Sequence, residues 1–303
     1  MNDILLRVFA KDAGLRGLIC TTGELSREAA RRHNASPIAA AALSQGLTAA
    51  TLLGALLKVQ QRVALKLEGD GALRKLVAES DAYGRVRGYV AEPGLDWPAP
   101  YDAPATTQAL GRRGLLTVVR DLGLRDLHQG AVALEGDTLD TSLAAYFTKS
   151  EQTATVLRTV LATDSAGTVT VAGGVLFQPL PGASLLGLQQ VAATLNQTDD
   201  LAALFLTLTP EQLAAHLLGD LPYTVLEQRL LAFSCTCSRA RSRQALKVLS
   251  ADDLLGLIVE GEAVVDCHFC HERYVFSREE LGEILDEIES EALDALLDDT
   301  EVP

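Results

Sequence analysis

No apolar run in this chain reaches the roughly 18 residues a membrane span needs. The longest candidate, Ala39 to Val59, is interrupted by Ser44, Gln45, Thr48, Thr51 and Lys58. The opening Met1-Asn2-Asp3 has no basic region, and no small-residue cleavage site follows an apolar block. The expectation is a cytosolic protein without a signal peptide or membrane partner. Basic residues are also few, 26 Lys and Arg against 40 Asp and Glu, for a net charge of −14. From Val275 onward eleven carboxylates stand against Arg278 alone, an acidic tail that reads as a solvated helix face. Such a surface repels nucleic acid, so no nucleic-acid partner is expected. There is no Gly-x-x-x-x-Gly-Lys loop and no Gly-x-Ser-x-Gly elbow, and His33, His128 and His216 lie scattered. Hydrolase and nucleotide-dependent chemistry therefore lack support, and the chain is not expected to be an enzyme.

What is present is a hydrophobic content of 48% over 303 residues, enough for one substantial domain and one or two smaller ones. The first 180 residues alternate between periods of two and of 3.6. Ile4 to Ala10, Leu15 to Thr21, Val63 to Leu67, Arg74 to Glu79, Arg85 to Val90, Gly114 to Leu122, Gly130 to Leu134, Val156 to Ala162 and Thr168 to Leu180 read as strands. Glu24 to His33, Pro37 to Val59 and a stretch ending near Ser150 read as helices. Ala172-Gly-Gly174 allows a bulge or a close backbone approach. Residues 91 to 105 carry four prolines with Trp97 and Tyr101 and read as an irregular excursion.

From Pro181-Gly182 the pattern turns helical, with Thr209-Pro-Glu-Gln212 as a start signal and Gly219 and Pro222 as stops. The expected fold is α+β: an N-terminal antiparallel-sheet domain with packed helices over residues 1–180, a helical linker over 181–230, and a small zinc-binding domain over 231–303. The linker helices are too narrow to fold alone and are expected to lie against the first domain. A capping box, Ser277-Arg-Glu-Glu280, starts an amphipathic terminal helix with Leu281, Ile284, Leu285, Ile288 and Leu296 on one face.

Cysteine is scarce, and its placement is the strongest signal in the chain. Four of five cysteines fall within 36 residues as two close pairs, Cys235-Thr-Cys237 and Cys267-His-Phe-Cys270. Two thiol pairs separated by a loop-and-helix length form the pattern of a tetrahedral four-thiolate zinc site. In a segment of about 70 residues a hydrophobic core alone leaves little net stability. A structural zinc contributes on the order of 10–16 kcal/mol of coupled folding free energy, so metal loss is expected to unfold this segment. Arg239, Arg241, Arg243, Lys247 and Arg273 lie close in sequence and are expected to moderate the site's negative charge. Cys267/Cys270 closes a disulfide easily, whereas Cys235/Cys237 must close a tighter ring and is expected to form later. His268 and His271 flank the second pair as exposed residues rather than ligands, and Cys20 reads as a buried apolar filler.

These motifs are similar to those of a known family. Phe233-Ser-Cys-Thr-Cys-Ser-Arg239, Cys267-His-Phe-Cys270 and Tyr274-Val-Phe276 resemble the C-terminal redox switch of the 33-kDa chaperonin family of heat-shock holdases. Gly69-Asp-Gly71, Leu134-Glu-Gly-Asp-Thr138, Tyr146-Phe-Thr-Lys-Ser-Glu-Gln152 and Ala172-Gly-Gly174 resemble that family's N-terminal domain. The resemblance implies an ATP-independent chaperone, inactive when reduced and holding one zinc per chain on Cys235, Cys237, Cys267 and Cys270. It implies that oxidation forms the disulfides Cys235–Cys237 and Cys267–Cys270, releases zinc and unfolds the zinc domain and linker. The active form, a homodimer, would then capture unfolding client proteins. Two other readings compete. A zinc-ribbon nucleic-acid module conflicts with the acidic balance, and a thiol-disulfide oxidoreductase lacks a βαβ context around Cys267-His-Phe-Cys270.

Overall fold

The computed structural model describes residues 2–298, with side chains as far as 291. Asp299 and Glu301 of the acidic tail, and the side chain of Leu296, lie outside the described set. Strands β1 (Ile4–Ala10) and β2 (Leu15–Thr21) precede helices α1 (Gly23–Arg32) and α2 (Pro37–Gly54). Next come β3 (Arg62–Gly69), β4 (Lys75–Asp81), β5 (Arg85–Val90), α3 (Ala103–Leu110), β6 (Gly114–Asp121) and β7 (His128–Ala133). Helix α4 (Leu139–Lys149) leads to β8 (Val156–Thr163) and β9 (Val169–Pro179), then to α5 (Leu186–Gln197), α6 (Leu201–Thr207) and α7 (Pro210–Leu218). Strands β10 (Thr224–Leu230) and β11 (Ala232–Phe233) follow. The last elements are α8 (Arg239–Leu246), α9 (Ala251–Glu260), β12 (Glu262–Asp266), β13 (Arg273–Ser277) and α10 (Arg278–Asp298). The fold is α+β, and the chain divides between Ser234 and Cys235 into two compact units.

The first unit holds two sheets, ordered β10-β1-β2-β9-β8 and β11-β5-β4-β3-β6-β7. Their pairings are antiparallel except for the short parallel contact of β11 with β5. Helix α2 packs against strands of both sheets, and every residue from Ile38 to Gly54 is buried. It is the one helix among the described residues with the length and apolarity of a membrane span, and 94% of it is buried inside the protein. Its hydroxyls are satisfied locally, and Gln45 accepts from the Thr106 hydroxyl on α3. Ser44, Thr48 and Thr51 donate to the carbonyls of Ala40, Ser44 and Leu47 at 2.7, 2.9 and 2.8 Å, so the helix carries hydroxyls through a core without unpaired donors. Trp97, in the proline-rich excursion, packs against this same core. Cys20 on β2 is fully buried there, and burial pushes its thiol pKa up. It is the apolar filler the sequence suggested.

The far face of the five-stranded sheet makes a second core. Leu6, Val8, Ile19, Val175 and Phe177 pack against Leu188, Val191, Phe205, Leu213 and Leu217 from α5, α6 and α7. The Thr209 capping box forms, with Gln212 N–H donating to Thr209 Oγ1 at 3.3 Å and Thr209 N–H donating to Gln212 Oε1 at 2.9 Å. Ala172-Gly-Gly174 serves as a close approach. A Cβ on Gly173 would sit 2.6 Å from the Phe205 ring, and one on Gly174 would sit 2.9 Å from Thr48. The helical reading fails at the end of the connector, where Thr224–Leu230 is a strand. Gly219, at a φ of 57°, has already ended α7, Val225 is β-branched, and the edge of β1 supplies backbone partners for an extended chain.

Asp140, in the first turn of α4, accepts from the Thr159 backbone N–H at 3.0 Å and from its hydroxyl at 2.7 Å. Burial, the larger influence, raises its carboxyl from 3.8 to about 6. A raised folded-state pKa means the folded protein binds the proton more tightly than the unfolded chain. This carboxyl therefore favours the fold most below its unfolded pKa, and the advantage is lost as pH rises through about 6. Denaturant titrations of Asp140→Asn and the parent at pH 4 and pH 7 should show the variant gaining relative stability at the higher pH. A pH-independent difference would refute the assignment.

Candidate metal centre

The second unit gathers its cysteines from two backbone pieces. Cys235 and Cys237 lie in the extended segment just before α8, whose N-cap Ser238 accepts from Arg241 N–H at 3.2 Å. Cys267 and Cys270 occupy the tight connection between β12 and β13. That turn is closed by Cys267 N–H donating to the Glu272 carbonyl at 3.0 Å and His271 N–H donating to the Cys267 carbonyl at 2.8 Å. His271 adopts a left-handed φ of 57° that turns the chain back into β13.

The four sulfur atoms lie within 4.8 Å of one another. Cys235 Sγ is 3.6 Å from Cys267 Sγ, and Cys237 Sγ is 3.3 Å from Cys270 Sγ. A tetrahedron of thiolates at the usual zinc–sulfur distance of 2.3 Å has edges of about 3.8 Å. None of the four is in a disulfide. The donor set, the number of donors and their spacing fit a closed four-coordinate metal site. His268 and His271 are exposed and stand outside the group. Taken as thiols without a cation, Cys237 and Cys270 have pKa values raised chiefly by burial. A coordinated divalent cation reverses that balance, because a thiol bound to it is deprotonated outright.

Two supports were not legible in the spacing. The Tyr274 hydroxyl on β13 donates to Cys237 Sγ at 3.3 Å, and that bond raises the phenol's own pKa. Arg241 Nη1 donates to the Thr236 carbonyl at 2.9 Å and to its hydroxyl at 2.7 Å, clamping the residue between the first two thiols. Donors to coordinated thiolates tune metal affinity. Tyr274→Phe should therefore keep the fold and weaken zinc binding by about 10- to 100-fold, read by competition with a chromophoric chelator. Unchanged affinity would show the contact to be incidental.

The expected role of the basic residues is corrected for most of them. Arg239 bonds Glu280 at 2.5 and 2.7 Å and lies 4.5 Å over the Phe276 ring. Arg243 pairs with Glu287 at 2.7 Å, Lys247 with Glu287 and Glu291 at 2.9 and 2.7 Å, and Arg273 with Asp266 at 2.8 Å. Residues 239, 243 and 247 recur every four positions, so they share one side of α8 and meet the acids of α10. These pairs hold Glu287 at about 2, mainly through Arg243. The small core beneath them is Leu246, Leu254, Ala263, Phe276, Leu281 and Ile284.

A family model described as Hsp33 protein matches residues 3–277. The chain belongs to the Hsp33 family. Among curated relatives, a 33 kDa chaperonin of Geobacter sp. (strain M21) is 39% identical over 290 residues, covering 95% of this chain and 98% of that protein. The 33 kDa chaperonin of Bacillus licheniformis is 36% identical over 289 residues, covering 94% and 100%. A crystal structure of the 33 kDa chaperonin from Thermotoga maritima superposes with a TM-score of 0.85 at 31% identity, over 94% of this chain and 98% of that one. The Hsp33 match thus spans both units, including the four-cysteine centre.

Proposed function

We propose that this chain is a redox-regulated, ATP-independent holdase of the cytoplasm that captures unfolding proteins under oxidative stress. In the reduced state Cys235, Cys237, Cys267 and Cys270 hold one zinc ion, and the chaperone is off. The observation that carries this reading is the four-thiol cluster within 4.8 Å, set in a unit whose core, among the described residues, has six buried apolar side chains. Such a unit depends on its metal. An oxidant such as peroxide takes two electrons from each thiolate pair and is reduced to water, leaving Cys267–Cys270 and Cys235–Cys237 as disulfides. Each disulfide removes two donors, and the unit loses its support.

The apolar face beneath α5, α6 and α7 is then the client surface, made available when the helices that cover it come away. The active form is a homodimer. The reading is tested by measuring zinc release and suppression of client aggregation on one sample before and after oxidation. Equal suppression in both states would defeat the switch. The order of closure is tested by quenching a peroxide time course and mapping disulfides. Cys267–Cys270 is expected first, and early Cys235–Cys237 would contradict the ring-size argument.

A further inference from the structure

Strand β10 is the outermost strand of its sheet and pairs with β1 alone. It is the most solvent-exposed strand of that sheet, with Val225, Leu226 and Leu230 exposed at 48%, 58% and 64%. Its end at Leu230 lies five residues before Cys235, with Leu231 N–H donating to the Asp3 carbonyl at 3.0 Å and β11 paired with β5 in between. A segment with an exposed backbone ladder and little buried apolar surface is the part of a sheet that opens first. Loss of the anchor at Cys235 leaves that end held by the Leu231 bond and the two-residue β11 contact, Ala232 N–H to the Gly84 carbonyl at 3.1 Å and Ser234 N–H to the Val86 carbonyl at 2.9 Å, and these must open for β10 to leave.

Departure of β10 changes β1 in two ways. It bares a seven-residue edge, Ile-Leu-Leu-Arg-Val-Phe-Ala, with no proline or lysine to block pairing. It also removes the carboxylate from Arg7, whose Nε is 3.3 Å from Glu227 Oε2 and which lies opposite Glu227 in the register. Arg16 on β2 is a diagonal neighbour of Arg7 on the same face, and its guanidinium bonds a neutral partner, Gln178, at 3.1 Å. Burial first, and then Arg7, hold the Arg16 pKa below its ordinary value. The bared edge is therefore apolar with two guanidinium groups side by side.

We propose that the released β1 edge is a second client-binding element, which takes up an extended client segment as an added strand, with a client carboxylate opposite Arg7 replacing Glu227. This rests on the switch described above and adds backbone pairing to burial of the apolar face. A second copy of the chain is the less fitting occupant. In the fully paired antiparallel register of Ile4–Ala10 with itself, Arg7 falls opposite Arg7, and like charges directly opposed weaken a strand pair. The chain's own β10 shows what fits: Glu227 at that position, with Val225 and Leu230 opposite Val8 and Ile4.

The probe is a labelled, end-blocked heptapeptide of sequence Thr-Val-Leu-Glu-Gln-Arg-Leu, with a second peptide in which Glu is replaced by Lys. Both are titrated by anisotropy into the full chain, reduced and oxidised. The acidic peptide should bind the oxidised chain, bind the reduced chain at least tenfold more weakly, and exceed the Lys peptide by about tenfold. Arg7→Glu should invert that order, while the peptide pair tests the charge rule on the unaltered chain. Hydrogen exchange should show β1 amides losing protection on oxidation and regaining it with peptide. Equal binding of the two peptides, or a β1 that stays unprotected with peptide bound, overturns the inference. If oxidation still releases zinc and suppresses aggregation in that case, the holdase reading stands without it. Absence of oxidation-dependent suppression removes both.

Discussion

Stripped of zinc by a chelator, the reduced protein should lose ordered structure from Cys235 onward and keep it in the core around α2. Among the described residues the second unit has a small core, helped by exposed ion pairs such as Arg243–Glu287 and Arg273–Asp266, which solvent screening leaves weak. Coupled zinc binding is worth on the order of 10–16 kcal/mol, far more than those pairs together. The first unit has two large cores that owe nothing to the metal. Cys267→Ser should reproduce the chelator result by deleting one donor. Residue-resolved hydrogen exchange is the measurement, with protection expected to vanish in β12, β13, α8 and α9 and persist in α2, β3 and β4. A second unit that stays protected after complete metal removal would show that its core suffices.

Leu217→Ala should switch the chaperone on without oxidation. Leu217 is fully buried on α7 against the sheet face that holds Leu6, Val8 and Phe177. Large-to-small changes at such sites cost about 2–5 kcal/mol. Here the loss falls on the contact between the connector helices and the sheet, while the first core is untouched. The connector should open at a lower temperature, and the reduced, zinc-loaded variant should suppress client aggregation that the reduced parent does not. The control is the zinc content, which should remain one per chain. If the variant merely lowers the stability of the whole first unit, α2 amides will lose protection together with those of α7, and the proposed cover will not be a separable layer.

Much of this architecture was legible from local pattern. Ile4–Ala10 and Leu15–Thr21 are strands because branched apolar residues fill them, and Thr209 and Ser277 begin helices because their side chains reach the backbone three residues on. The four-thiol cluster was legible because two close cysteine pairs at this separation are the spacing of a four-thiolate zinc site. What escaped was long-range partnership. Thr224–Leu230 carries no strong strand signal, being half polar and largely exposed. It is a strand because β1, more than 200 residues earlier, offers an edge. The basic residues near the cysteines suggested a charge-balancing shell, yet Arg239 and Arg243 turn to acids some forty positions away. Tyr274 could be placed on a strand from alternation, but its aim at Cys237 depends on how two backbone pieces converge.

The placement of the chain's one tryptophan has a practical consequence. Trp97 packs on the α2 core, in the half of the molecule expected to survive the loss of metal. Its emission is thus a built-in internal standard. Constant fluorescence through oxidation would certify that the platform is intact, so that tyrosine signals or added dyes can be assigned to the part that comes apart.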